Sequence, residues 1–161
     1  MYQIVDTNVL LVASNKAPQS SPTCVLTCIK YLQNFQKSGI LVIDNNWLII
    51  NEYKRKNSQS GQPDVGDAFL KWVLINQANP KRCEKVTITQ IAENDFAEFP
   101  RSPSLEKFDP SDRKFVAVTL THHAKPAIAN AVDSDWRNYE QALNEHGVAL
   151  NFLCPYLTKK S

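Results

Sequence analysis

Short apolar runs that end in turn residues alternate along this chain with stretches whose apolar residues recur every three or four positions. That alternation narrows the fold more than any other feature. Tyr2 to Val5, Ile40 to Ile43, Val86 to Thr89, Ala127 to Val132 and Val148 to Leu153 read as five strands. Between the first two, Ser21 and Pro22 make a helix start, and Val25, Cys28, Ile29, Leu32 and Phe35 form one face before Gly39 ends it. Asp44 or Asn45 caps a second helix that runs to Lys56, and Asp67 to Gln77 has helical spacing again. Asp109-Pro110-Ser111-Asp112 opens a helix reaching His122, and Asp135 opens one ending before Gly147. The polar stretch from Asn57 to Gly66 reads as a loop, and the proline- and serine-bearing stretch from Gln90 to Phe108 as irregular chain. Strands alternating with helices predict an α/β fold, a parallel sheet covered on both faces.

The length of 161 residues suits one domain, expected over 1–155 with a short basic tail at 156–161. With 43% apolar and 21% charged residues, the composition excludes a disordered, collagen-like or extended coiled-coil chain. A net charge of +2 neither requires nor excludes a polyanionic partner. Four cysteines make no disulfide framework, and Cys24 and Cys28, one helical turn apart, read as buried thiols. An acid at position six argues against a signal peptide, and no apolar run reaches the ~20 residues of a spanning helix. The expectation is a cytoplasmic protein with no membrane partner.

The acids carry the chemistry. In an open parallel sheet, ligands bind outside the carboxyl ends of the strands where the strand order reverses. Asp6 directly follows the first strand; Asp133 directly follows the fourth, with Asp135 two residues on. Asp112 lies in the first turn of a helix, where it also suits a capping role. Glu52 shares a helix face with Leu48 and Ile49, an expensive place for a carboxylate unless it is paired, with Lys56 as the nearest partner. Singly, each acid has a plain structural use as turn or cap residue. Together they converge on one cleft if the sheet is doubly wound. Two carboxylates ~4 Å apart repel by roughly 4 kcal/mol at an effective dielectric of 20, so the group needs a cation or protons. Oxygen ligands without nearby His or Cys favour Mg²⁺ or Mn²⁺. The expected chemistry is metal-assisted attack of water on a phosphodiester.

Val5-Asp6-Thr7-Asn8-Val9-Leu10, the mid-helix Glu52 in Ile49-Ile50-Asn51-Glu52-Tyr53, Ser111-Asp112-Arg113-Lys114-Phe115-Val116-Ala117 and Val132-Asp133-Ser134-Asp135-Trp136 form an ordered set. This set resembles the motifs of the PIN-domain nucleases, over nearly the whole chain. The resemblance implies a three-layer αβα fold with a five-stranded parallel sheet of order 3-2-1-4-5. It further implies a metal-dependent endoribonuclease acting on single-stranded RNA. Asp6, Glu52, Asp112 and Asp133 would hold one or two Mg²⁺ or Mn²⁺ ions, Asp135 would be an accessory ligand, and Thr7 and Asn8 would shape the pocket by hydrogen bonding. Related toxins imply an antitoxin or a second copy of the chain as protein partners. Ala129-Asn130-Ala131-Val132 departs from the family, which often has Thr or Ser ahead of the acid.

Arg113 and Lys114 adjoin Asp112 and are expected to meet RNA phosphates, whereas Lys54-Arg55-Lys56 and the other basic runs read as solvated faces. His122 and His123, adjacent on a helix, would point to different faces at its solvated end. Trp47, Trp72 and Trp136 read as core, with Trp136 singled out by its place beside the last acids. Two competitors stand beside the nuclease. One is a degenerate PIN-like module that binds RNA or protein without cutting. The other is a haloacid-dehalogenase-type phosphohydrolase, which lacks its second Asp because position 8 is Asn.

Overall fold

Ile4 and Val5 have no side chain exposed to water, and neither do Leu41, Val42, Ile128 and Ala129 on the strands beside them. Such strands must be covered on both faces, as parallel strands are. A computed structural model describes residues 1–18, 20–57, 64–131 and 134–154. Five strands, β1 (Tyr2–Val5), β2 (Ile40–Asp44), β3 (Cys83–Val86), β6 (Ala127–Asn130) and β7 (Leu150–Phe152), make one parallel sheet in the spatial order β3-β2-β1-β6-β7. Two more, β4 (Gln90–Ala92) and β5 (Asp95–Phe96), form a separate antiparallel hairpin within the stretch expected to be irregular. Counting only the sheet strands, the order is the expected 3-2-1-4-5, and the helices around it are compatible with three layers.

Helices connect the strands. They are α1 (Thr7–Ala13), α2 (Pro22–Ser38), α3 (Leu48–Lys56), α4 (Val65–Asn76), α5 (Arg113–Thr121), α6 (Ser134–Asn138) and α7 (Glu140–Glu145). Ser21 caps α2 through its hydroxyl, which accepts the Cys24 N–H, with Pro22 in the first turn. Asp44 does the same for α3 from the end of β2: its carboxylate accepts the N–H groups of Asn46, Leu48 and Ile49 at 2.9–3.0 Å. Asp64 and Asp67 make a reciprocal capping box at α4. No helix of the described residues is long and apolar enough to cross a membrane.

Four local expectations need correction. The polar Asp6-Thr7-Asn8 is no turn but the direct start of α1, whose Val9, Leu10, Val12 and Ala13 are buried. The third sheet strand is Cys83–Val86 rather than Val86 to Thr89. Beyond Val86 the chain leaves the sheet, and Thr89 bonds Ala97 and Glu98 to start the hairpin. The last helix is two, broken at Tyr139. Cys24 is no free thiol: it forms a disulfide with Cys154, while Cys28 and Cys83 are the buried thiols.

Candidate functional site

The strand order reverses between β1, which has β2 on one side, and β6 on the other. Their carboxyl ends are stitched together there. The Asp6 N–H donates to the Ala129 carbonyl at 2.9 Å, and the Ala131 N–H donates to Asn8 Oδ1 at 3.0 Å. A cavity of about 170 Å³ opens at this point, lined by Asp6, Thr7, Asn8, Glu52, Asp112 and Lys56 among others. Asp6 comes from the end of β1, Glu52 from the middle of α3, and Asp112 from the 3₁₀ turn Pro110–Asp112 that runs into α5. All three are buried, Asp6 to 3% and Glu52 and Asp112 each to 6% residual exposure. Residues more than one hundred positions apart therefore bring three carboxylates to one pocket.

Asp6 and Glu52 are held from behind. The Trp136 indole N–H donates to Asp6 Oδ2 at 2.7 Å, and that indole is buried edge-on against Phe108 and Phe115. The Tyr53 hydroxyl, one residue after Glu52, donates to the Val5 carbonyl at 2.5 Å and so ties α3 to the strand end that carries Asp6. Burial, and then the negative charge of Asp6 and Glu52, push the Tyr53 phenol well above its usual pKa. Glu52 accepts the Thr7 hydroxyl on Oε2 and meets Lys114 Nζ at 2.6 Å on Oε1. Asp109 caps the 3₁₀ turn Pro110–Asp112: its Oδ1 accepts the N–H and hydroxyl of Ser111.

Thr7 and Asn8 line the pocket as the resemblance implies. Asn8 Nδ2 is shut off from water and has no hydrogen-bond partner among the described residues. Asp133 lies outside the described residues. Asp135 is half-buried in the first turn of α6.

Arg113 and Lys114 do not present the free cations expected of them. Arg113 bonds Asp95 at 3.1 Å and the Glu106 carbonyl at 3.3 Å, and it stacks on Phe99. Lys114 is buried, with its ammonium on Glu52 and on the Ser111 carbonyl. The helix period explains the miss, because the turn of α5 that buries Phe115 also carries Lys114 inward, a direction that sequence neighbours do not specify. Glu52 is thus paired with Lys114, 62 positions away, and not with Lys56 one turn on. Lys56 instead stands exposed at the pocket, the cation that spacing alone assigned to a solvated face.

His122 is likewise buried where a solvated end was expected. The helix stops at Thr121, so the extended backbone at His122 lets its ring stack on His123 with centroids 4.2 Å apart. Both Nε2 atoms face Glu84 Oε1, at 2.7 and 3.9 Å. His122 Nδ1 accepts the Ala124 N–H, which puts the imidazole proton on Nε2, toward Glu84. That proton fills the place an ion would take.

The residues at the pocket fit a hard divalent cation. Three buried carboxylates supply hard oxygen atoms, and among the described residues no thiol or imidazole lines the pocket. In comparisons with known proteins, the chain matches no family model, no curated protein and no solved structure.

Proposed function

We propose that the chain is a PIN-like, metal-dependent endoribonuclease that hydrolyses phosphodiester bonds of single-stranded RNA. The observation that carries this reading is the convergence of Asp6, Glu52 and Asp112 on one cavity at the strand-order reversal. A bound Mg²⁺ or Mn²⁺ supplies an acidified water and charge stabilisation at the phosphoryl oxygens. Asp6 and Asp112, with Asp133 and Asp135 as expected further ligands, provide the negative charge that attracts the ion. Trp136 fixes the Asp6 carboxylate, which leaves it less freedom to lose when an ion binds. Lys56 at the pocket supplies a cation for a backbone phosphate, the part first assigned to Arg113 and Lys114. An antitoxin or a second copy of the chain would act by covering this pocket.

The test is cleavage of unstructured RNA with Mn²⁺, comparing the natural chain with Asp6→Asn. The expected result is cutting by the first and a loss of about a hundredfold or more in the second, of the order seen when a charged group at a reacting centre is removed. Equal cutting by both would end the nuclease reading. One observation favours a second reading, a PIN-like module that binds RNA or protein without cutting: Lys114 already neutralises Glu52. Such a module binds RNA with no dependence on Mn²⁺.

A further inference from the structure

We propose that Cys24, Cys28 and Cys154, once the bond between the first and the last is reduced, form a three-sulfur site for one Cu(I) ion. The site is separate from the acidic pocket, whose lining contains no cysteine among the described residues, and does not depend on what that pocket does. Cys24 and Cys28 lie one turn apart on α2, and Cys154 reaches them from the chain just after β7. Their three sulfurs all lie within 4.8 Å of one another, and each of the three residues is 0% exposed. Three sulfurs around one ion, each about 2.3 Å from it, stand roughly 4 Å apart. Cys28 is already within reach of that spacing, and reduction frees the bonded pair to open to it.

A dithiol supplies the reduction. Its two sulfurs join in a disulfide of their own, and the two electrons and two protons they give up leave Cys24 and Cys154 as thiols. Cu(I) then displaces thiol protons into solvent and keeps its oxidation state. Thiolates select soft ions, Cu(I) and zinc among them. Zinc in a structural site takes four protein ligands. Among the described residues this cluster contains no histidine or carboxylate, and its burial keeps bulk water from a fourth place, so three soft sulfurs suit Cu(I). Cys24 stands in the first turn of a 17-residue helix, where the positive end of the helix dipole favours the negative charge on a metal-bound sulfur. Burial pushes the Cys28 thiol up to about 12, so its sulfur carries charge at neutral pH only with a cation in the proton's place. The ion joins α2 to the chain after β7 as the disulfide does, which keeps that link where thiols are held reduced.

The experiment reduces the full chain with a dithiol, removes the dithiol under nitrogen, and titrates with Cu(I) against bicinchoninate, whose violet Cu(I) complex fades as the protein takes the ion. The reduced natural chain should take one equivalent. Cys28→Ala should hold it at least about tenfold more weakly, since losing even an outer-shell partner of a metal costs that much. Cys83→Ala, which removes the buried thiol outside the cluster, should match the natural chain. X-ray absorption at the copper edge should find three sulfur neighbours in the natural chain, a measurement that needs no variant and decides the matter where Cys28→Ala does not fold. No Cu(I) taken by the reduced chain, a folded Cys28→Ala as tight as the natural chain, or only two sulfur neighbours would each overturn the site.

Discussion

Glu84 illustrates how one residue can be tied to several elements at once. It lies on the edge strand β3, and its carboxylate accepts the Tyr2 hydroxyl on Oε2 and the His122 Nε2–H on Oε1. The nine residues of α5 span roughly 13 Å, so this network at the helix's end is separate from the acidic pocket at its start. The hydrogen bond from His122 is the main reason that the Glu84 carboxyl is held below its ordinary value of 4.5; partial burial opposes it, and the Tyr2 hydroxyl reinforces it. A carboxylate depressed on folding contributes stability above its unfolded value, and that contribution is lost as pH falls through the lower folded value. The urea midpoint should therefore drop as pH falls below 4.5, and Glu84→Gln should flatten part of that limb. A variant whose acid limb matches the natural chain would show that the network adds nothing. The same scale explains what the sequence could and could not say about the pocket. Asp6 was legible because it follows a strand, Glu52 because it sits on an apolar helical face, and Asp112 because it stands at a helix start. Trp136 as a donor and Lys114 as a partner were not, because spacing carries no information on contacts between residues 130 and 62 positions apart.

At the scale of elements, α1 and α4 pack directly against each other. Gly66, in the first turn of α4, approaches α1 so closely that an added Cβ would stand 2.7 Å from the Leu10 carbonyl and closer still to the Ser14 hydroxyl. Ser14 in turn accepts the Gly66 N–H and donates to Asp64, the capping residue of α4. Gly66→Ala should cost about 1–3 kcal/mol, because a backbone carbonyl cannot move aside as a side chain can. Denaturant titration checks this, and a loss below about half a kcal/mol would mean that the helices shift freely. Helix starts were the most readable elements, since Ser21 and Asp44 announce them through local capping chemistry. The start of α1 was not, for Asp6-Thr7-Asn8 is as good a turn as a helix entry. Burial of Val9, Leu10, Val12 and Ala13 under the neighbouring helices selects the helix.

At the scale of the molecule, the Cys24–Cys154 disulfide joins α2 to the chain just after β7 across 130 residues. Closing so large a loop restricts the unfolded chain and stabilises the native state by about 2–4 kcal/mol. Cys28 lies beside the linked pair, yet burial pushes its thiol up to about 12, and that of Cys83 up to about 11, so neither is a ready thiolate at neutral pH. Reductant should lower the denaturation midpoint of the natural chain and leave Cys24→Ser/Cys154→Ser unmoved. Equal midpoints with and without reductant in the natural chain would show that the link carries no stability. Such bonds persist in oxidising surroundings and are rare where glutathione keeps thiols reduced, so the link bears directly on the expected cytoplasmic setting.

By itself the amino-acid order determined the α/β class, four of the five sheet strands with the third misplaced by three residues, and three of the acids that share the pocket. Those properties rest on periodicity and capping, which act within a few residues of each other. Only the tertiary structure decided that Lys114 neutralises Glu52, that Trp136 holds Asp6, that His122 is buried, and that Cys24 is bonded to Cys154. Each is a pairing between distant stretches, set by how helices pack on the open sheet, and packing depends on the whole chain at once.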